Sequence, residues 1–456
     1  MTIFEGFFLF ICLLSIYAVS VFILRKKNIL ERYHISLWGP ALMWRTEKGI
    51  GFLKRLAQRN RFWSCFGTAG ILFCFIAMFF MTAMIIWQAW AVLGFTPEQK
   101  QALPGIEVAL VIPGINPILP LAFLGYILLG LIVAMVAHEF SHGILTILGR
   151  LKVKSLGILY LIVPIGAFCE PDEEELKKAP IIPRMKIYAA GPFSNFLVVL
   201  LSIFLFSFVC MSAVQPAADG VSVIYIVDDT PAAHLGIQPG MIISKLNDTQ
   251  IKNLSSYKQI LAATKAFQTV NITYVQGKTV FSSQITFADA YTYFQNDSYR
   301  NVSFAGWQVS QAHVGFLSVL QNPFQDFPNG LMILYIIPLW GYFQGYNPLV
   351  APFTDAFVIT GPLSIIPPSV FWTIVNAAYW IFWLNLAVAL FNVLPMIPLD
   401  GGFLFNDALH DLVKRLKNNI PDAQREKLIK HISLTLSLIV LLLVFFPWIM
   451  KYLFPG

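Results

Sequence analysis

The chain has 456 residues, 57% of them hydrophobic and only 12% charged, with a formal net charge of +7. That balance excludes a soluble globular enzyme and a disordered chain, and predicts a polytopic α-helical membrane protein of about six spans. The positive charge does not point to nucleic acid as a partner, because no cluster of Lys and Arg is interleaved with aromatics on a soluble face.

Residues 1–93 are expected to form two transmembrane helices, 6–24 and 66–93, with a basic loop between them. The first stretch lacks the small-residue cleavage site of a removable signal, so it is expected to stay as a span. Ten of the 31 Lys and Arg fall in 25–61, seven in 150–186 and six in 414–430, whereas 94–120 holds only Lys100. The positive-inside rule then makes those three loops cytoplasmic and the N-terminus external, in a cell membrane.

The next block, 113–211, opens on the apolar run 121–148, whose sole carboxylate is Glu139, flanked by His138 and His142. Spacing of four puts the two imidazoles on one face of a helix, where they can hold one Zn²⁺. Glu139, beside the first of them, stands where a metalloprotease keeps the base that deprotonates the attacking water. A carboxylate at membrane depth costs roughly 2.5–3.5 kcal/mol on insertion scales, so a chance occurrence of the pattern is a poor explanation for it. The apolar stretch 157–168 is too short to span and has cytoplasmic flanks on both sides. It reads as a membrane-dipping loop, or else as an interfacial strand or helix with no role in substrate handling. Residues 170–178 read as a solvated helix start with acids at the positive end of its dipole. In the span 187–211, Gly191-Pro192 loosens the helix and leaves Asn195 as an uncharged polar group in the membrane, a possible helix-packing contact.

The polar segment 215–330 is expected outside. All five Asn-x-Ser/Thr acceptors, at Asn247, Asn253, Asn271, Asn296 and Asn301, fall in it, and none of the five cysteines does. No disulfide framework is implied. Strands are expected at 221–227, 241–246, 270–275 and 279–287, a short helix after Thr230-Pro231 that Gly236 ends, and a helix over 257–265. Residues 331–346 carry Pro338, Gly341 and Gly345 and read as a re-entrant or interfacial element. The sixth span, 370–394, ends in Asn392-Val-Leu-Pro-Met-Ile-Pro-Leu-Asp-Gly-Gly402. Two prolines break the helix there and free backbone groups that lipid cannot satisfy, so this stretch is buried or lines a wet cavity. Asp-Gly-Gly alone is often a plain turn, but two histidines need a third ligand. His142 lies six residues, about 9 Å of helix, from the cytoplasmic end of its span, and Asp400 ends a span at matching depth. His34, His234, His313, His410 and His431 sit in loops, domains or a span edge. A last basic loop and the span 432–450 make up 403–456.

With His-Glu-Phe-Ser-His, Gly-Pro-Phe-Ser-Asn and Asn-Val-Leu-Pro-Met-Ile-Pro-Leu-Asp-Gly-Gly in the same order, residues 113–402 resemble the site-2 protease family of intramembrane zinc metalloproteases, peptidase M50. The phrasing Ile118-Leu-Pro and Val163-Pro-Ile-Gly-Ala-Phe-Cys-Glu-Pro is similar to its archaeal branch. The resemblance implies that His138, His142 and Asp400 bind Zn²⁺, that Glu139 is the base, and that Asn195 and Asn392 hold or polarise the substrate strand. It makes 113–211 and 331–402 the two halves of a protease core cutting membrane-anchored proteins in or near a transmembrane segment, sometimes after a first cut by a site-1-type protease outside. The segment 215–330 resembles the small β-rich PDZ domains of membrane-associated proteases in Thr-Pro-Ala-Ala-His-Leu-Gly-Ile-Gln-Pro-Gly240. It departs from peptide-binding members in showing no clear carboxylate-binding loop, and an unrelated small β-rich domain stays open.

The resemblance thus favours a zinc endopeptidase with its site nearer the cytoplasm and its external domain filtering substrates. Two other readings compete: a membrane-tethered metallopeptidase acting on soluble peptides, and a non-enzymatic PDZ-bearing membrane protein with a structural metal. The first would want a glutamate ligand on a separate helix, and no acidic helix lies at matching depth.

Overall fold

The computed structural model describes residues 3–110, 112–161, 163–344, 347–416 and 421–454. Gly345 and Tyr346 of the Pro338 stretch, Ile162 of the short apolar stretch and Lys417 of the last basic loop lie outside them.

Helix α1 (Ile3–Lys26) fills the first expected span and ends on Arg25 and Lys26, cations at the negative end of its dipole. The basic loop that follows is structured. Strands β1 (Ile35–Trp38) and β2 (Ala41–Thr46) form a hairpin, and α2 (Ile50–Ala57) buries Leu53 and Ala57 while Lys54 and Arg55 face out. Helix α3 (Asn60–Leu93) is the second span, and α4 (Leu124–Leu148), entered through a tight turn at Leu121–Phe123, is the third.

The stretch expected to dip into the membrane is a pair of antiparallel strands, β3 (Val153–Leu161) and β4 (Val163–Pro171). β2 adds to β3 with Leu42 opposite Tyr160, giving an antiparallel sheet in the order β1-β2-β3-β4. Arg45 ties it across strands, pairing with Glu170 at 3.3 Å and donating to Ser36 Oγ at 2.7 Å. The Ser155 hydroxyl and Arg45 together hold the Glu170 carboxyl below its ordinary range. The acidic run after it is helical over Glu173–Lys178, with the Asp172 carboxylate accepting from the Glu174 and Glu175 amides. Helix α5 (Ile181–Ile203) carries Pro192 and continues through a wider turn to Cys210.

Then comes a β-rich stretch. β5 (Val214–Pro216) precedes β6 (Val221–Ile226), a short helix α6 (Pro231–His234), β7 (Ile242–Leu246), α7 (Leu254–Ala262), β8 (Thr269–Gln276), β9 (Thr279–Thr286) and β10 (Trp307–Ser310). The sheet runs β9-β8-β7-β6-β10, with Thr249–Gln250 a short sixth strand on β7. Helix α7 starts three residues before the expected position because Asn253 and Ser256 form a capping box. Its Tyr257 is buried against Val223, Ile243 and Phe287, and burial pushes the phenol up to about 12. Trp307 Nε1 donates to that phenol at 2.6 Å, tying β10 to α7. After α8 (Ala312–Gln321), α9 (Asn329–Gln344) contains Pro338 and is about 24 Å long, and β11 (Phe357–Ile359) pairs with β5.

Helices α10 (Pro368–Asn392), α11 (Asp400–Leu416) and α12 (Asp422–Leu453) close the chain. By length and composition, Asn60–Leu93, Leu121–Leu148, Ile181–Ala213, Pro368–Asn392 and Asp422–Leu453 can each cross a membrane. In their most apolar stretches α5 and α10 are 44% and 50% buried, against 22% for each of the other three. These two are therefore the most enclosed of the five, and the other three leave most of their apolar surface uncovered by the chain.

Two compact units form: Met1–Leu201 with Trp380–Gly456, and Ser202–Tyr379. In the first, α5 packs Ile187 and Ala190 against Leu53, Phe66, Ile144 and Leu145 on one side. On the other, its Met185, Ala189 and Phe196 meet Cys74, Ala389, Val393 and Leu404. Every residue singled out from the sequence as chemistry-bearing lies in this first unit.

Candidate metal centre

Helix α4 supplies two ligand-type side chains because its apolar run holds neither proline nor a turn signal between His138 and His142. Their rings sit edge to face with centroids 4.7 Å apart. The Nδ1 of His142 lies 2.7 Å from the Ile187 carbonyl of α5, which accepts its proton and leaves Nε2 with an open lone pair.

Asp400 is the first residue of α11, where the helix dipole favours a carboxylate. The loop before it keeps its backbone satisfied, Leu399 N–H donating to Met396 O at 2.8 Å and Ile397 N–H to Ser437 Oγ at 3.0 Å. The Asp-Gly-Gly spacing is steric: a Cβ at Gly401 would meet Val393 O at 2.3 Å, so a larger residue would push α11 off this loop.

Asp400 Oδ2 stands 3.0 Å from His138 Nε2 and 3.3 Å from His142 Nε2. It makes no hydrogen bond of normal geometry with either ring, and the donor atoms of all three residues lie within 4.8 Å of one another. Three lone-pair-bearing atoms converging out of water repel one another unless a cation or proton sits among them. Space is kept for one. Gly191 of α5 backs the pair, and a Cβ there would fall 2.4 Å from His142 Nε2 and 2.6 Å from His138 Nε2. Two imidazoles and a carboxylate with room beside them suit a four-coordinate Zn²⁺ with an open position.

Glu139 points to the sheet, its Oε2 accepting from the Cys169 N–H of β4 at 2.7 Å. Asn195 is fully buried one turn beyond Gly191, and its Nδ2 has no partner among the described residues. Asn392 ends α10 with its Nδ2 turned back on its own helix, 3.0 Å from Val388 O. The structure thus brings together His138, His142 and Asp400, sets Glu139 beside them, and shows neither asparagine bonded to that cluster. Gly191, Ile187 and Cys169 were not singled out from the sequence for these contacts. Gly191 showed only as a loosened helix, and the other two act through backbone groups that every residue type carries.

Among solved structures, likenesses are found that cover about a fifth of this chain. The PDZ domain of an SdrC-like protein of Listeria monocytogenes is 21% identical, covering 21% of this chain and 90% of that one, with a TM-score of 0.18. The corresponding domain from Listeria innocua is 20% identical over 20% and 96%, with the same TM-score. An uncharacterized protein of Methanocaldococcus jannaschii is 26% identical over 379 residues, 82% of this chain and 79% of its own length. Residues 126–440, well over half of the chain and inclusive of both histidines and Asp400, match the model of peptidase family M50, and the chain belongs to that family.

Proposed function

We propose that the protein is an intramembrane zinc endopeptidase that cuts membrane-anchored proteins within or beside a transmembrane segment. M50 peptidases are in general intramembrane zinc metalloproteases. The observation that carries the reading here is the meeting of Asp400 Oδ2 with both imidazole Nε2 atoms in a pocket that Gly191 keeps open.

His138, His142 and Asp400 would hold the ion, which when bound supplies Lewis acidity to the scissile carbonyl and the attacking water. Glu139 takes the proton of that water and returns it to the leaving amine. Its bond from Cys169 N–H holds the carboxylate in place while one oxygen stays available. A helical substrate hides its carbonyls, so it must unwind and find new backbone partners. Strand β4 is the edge of its sheet and lies against Glu139, which suits it to receive the extended chain by strand addition. Asn195, with its unpartnered amide, and Asn392 would hold or polarise that strand. The β-rich module would act as an external filter of bulky substrates, since it carries none of the chemistry.

Zinc content and cleavage measured on the same purified variants test this. Glu139→Gln is expected to keep zinc and lose proteolysis, because an amide takes no proton. His138→Ala, His142→Ala and Asp400→Ala are expected to lose both, and Asn195→Ala and Asn392→Ala to slow cleavage at full zinc. Full zinc and turnover in Asp400→Ala would remove the third ligand, and tolerance of Glu139→Gln would favour a structural metal. For the filter, deleting residues 219–310 should preserve cleavage of short trimmed substrates and admit bulkier ones. A folded, zinc-loaded deletion that cuts neither would give the module a role in ordering the site.

A further inference from the structure

We infer that the Arg184–Asp407 ion pair is a register clamp for the metal centre, setting how far α11 slides along α5 and so bringing Asp400 to the two histidines. The inference rests on the metal reading above.

On α11, Asp400, Phe403 and Asp407 follow at spacings of three and four and share one helix face. On α5, Arg184, Tyr188 and Gly191 do the same at four and three. The two stripes meet rung by rung in antiparallel order. Arg184 Nε and Nη2 donate to Asp407 Oδ2 and Oδ1 at 3.0 and 2.6 Å. Tyr188 stacks on Phe403 with ring centroids 5.3 Å apart and planes 23° from parallel. At the third rung, Gly191 backs the imidazole nitrogens that Asp400 approaches.

Of these rungs only the first fixes position sharply. Stacked rings tolerate sliding, whereas a guanidinium–carboxylate fork sets both distance and angle. The fork is also well shielded, its side chains 17% and 6% exposed, so salt screens it little. About a quarter-turn round the helix, α12 meets α11 by an uncharged contact, Ser433 Oγ donating to Asn406 Oδ1 at 2.9 Å. A slip of one residue along a helix is about 1.5 Å with a turn of about 100°. Metal–ligand distances tolerate only about 0.2 Å, so such a slip would remove Asp400 from the ion. Asp407, two turns away at about 10.5 Å, is therefore a positioning residue that touches neither metal nor substrate.

The test is Zn²⁺ affinity of the purified full-length protein, by chelator competition, with the visible spectrum of the Co²⁺-substituted form as a readout of ligand geometry. Asp407→Asn and Arg184→Gln are expected to bind Zn²⁺ about ten- to a hundredfold more weakly and to shift the Co²⁺ bands. Phe66→Ala, which removes buried packing in the same unit, is expected to lower the melting temperature without moving either. The exchange variant Arg184→Asp with Asp407→Arg re-forms the pair and should recover most of the lost affinity. Wild-type affinity in a folded Asp407→Asn, an effect no larger than that of Phe66→Ala, or a folded exchange variant as weak as the single ones would each overturn the clamp. Asp400→Ala, measured alongside, separates the two ideas. If it keeps full affinity the ligand assignment fails whatever Asp407 shows; if it loses the ion while Asp407→Asn does not, only the clamp fails.

Discussion

A methyl group at Gly191 would land inside van der Waals contact of both imidazole Nε2 atoms, at 2.4 and 2.6 Å. Alanine's helix preference over glycine, roughly 0.5–1 kcal/mol, is set against an overpacking cost of about 1–3 kcal/mol, so Gly191→Ala is expected to fold with a modestly lowered melting temperature. It should nevertheless lose zinc and activity together. A zinc assay beside a melting curve checks this, and full zinc in the variant would mean that the space Gly191 keeps is not the ion's. The meeting of His138, His142 and Asp400 was legible in the sequence because it depends on particular side chains. His138, Glu139 and His142 declare themselves by spacing and by the cost of their depth, and Asp400 by two prolines and a carboxylate at a span end. The Ile187 carbonyl and the Cys169 amide were not legible, because any residue at those positions would offer the same group. Asp407 was hidden for another reason. An acid in an amphipathic helix reads as solvated, and only packing shows it paired with Arg184.

Strand β4 has one edge on β3 and the other toward Glu139. Cys169 turns its N–H away from β3, and alternation along the strand makes Ala167 do the same. Ala167→Pro therefore removes an N–H from the open edge while sparing the ladder. If substrate adds there, kcat/KM should fall about tenfold, the equivalent of one backbone hydrogen bond of some 1.4 kcal/mol, with zinc content unchanged. Unchanged kcat/KM in the folded variant would take substrate binding off that edge. The sequence marked 157–168 as something other than a span, yet concealed the sheet. β1 and β2 lie in a loop rich in Lys and Arg, and β3, the outer partner of β2, is more than a hundred residues on, with Leu42 opposite Tyr160. Strand β10 escaped similarly, being four residues long and separated from β9 by an insertion. Strands β6 to β9, with local alternation and turn residues between them, were found within a residue or two.

For the whole molecule, hydropathy located the apolar helices but not their ranks. That α5 and α10 are the most buried of them follows from packing, and the boundaries between the two compact units fall within those same helices, where no composition change marks them. Sidedness rests on the Lys/Arg asymmetry and the acceptor sequons, and it yields a direct expectation. In a background with Cys12 and Cys65 replaced by Ser, a membrane-impermeant thiol reagent applied to intact cells should label Ser255→Cys and not Ala423→Cys. Both positions are exposed in the structure, so accessibility within the fold does not decide the result. The opposite pattern would invert the topology.

The two halves of the metal centre stand 258 positions apart, with the whole β-rich module between them. At about 5–20 residues per second, the ribosome adds Asp400 roughly ten to fifty seconds after His142 has been made. During that interval the nascent chain holds His138, Glu139 and His142 without Asp400 to complete the set. If Asp400 is the third ligand as proposed, an interrupted or truncated product is expected to leave its neighbours in the bilayer uncut. On that reading, cleavage would be open only to a chain whose module has already been synthesised, a safeguard of timing that requires no separate inhibitor.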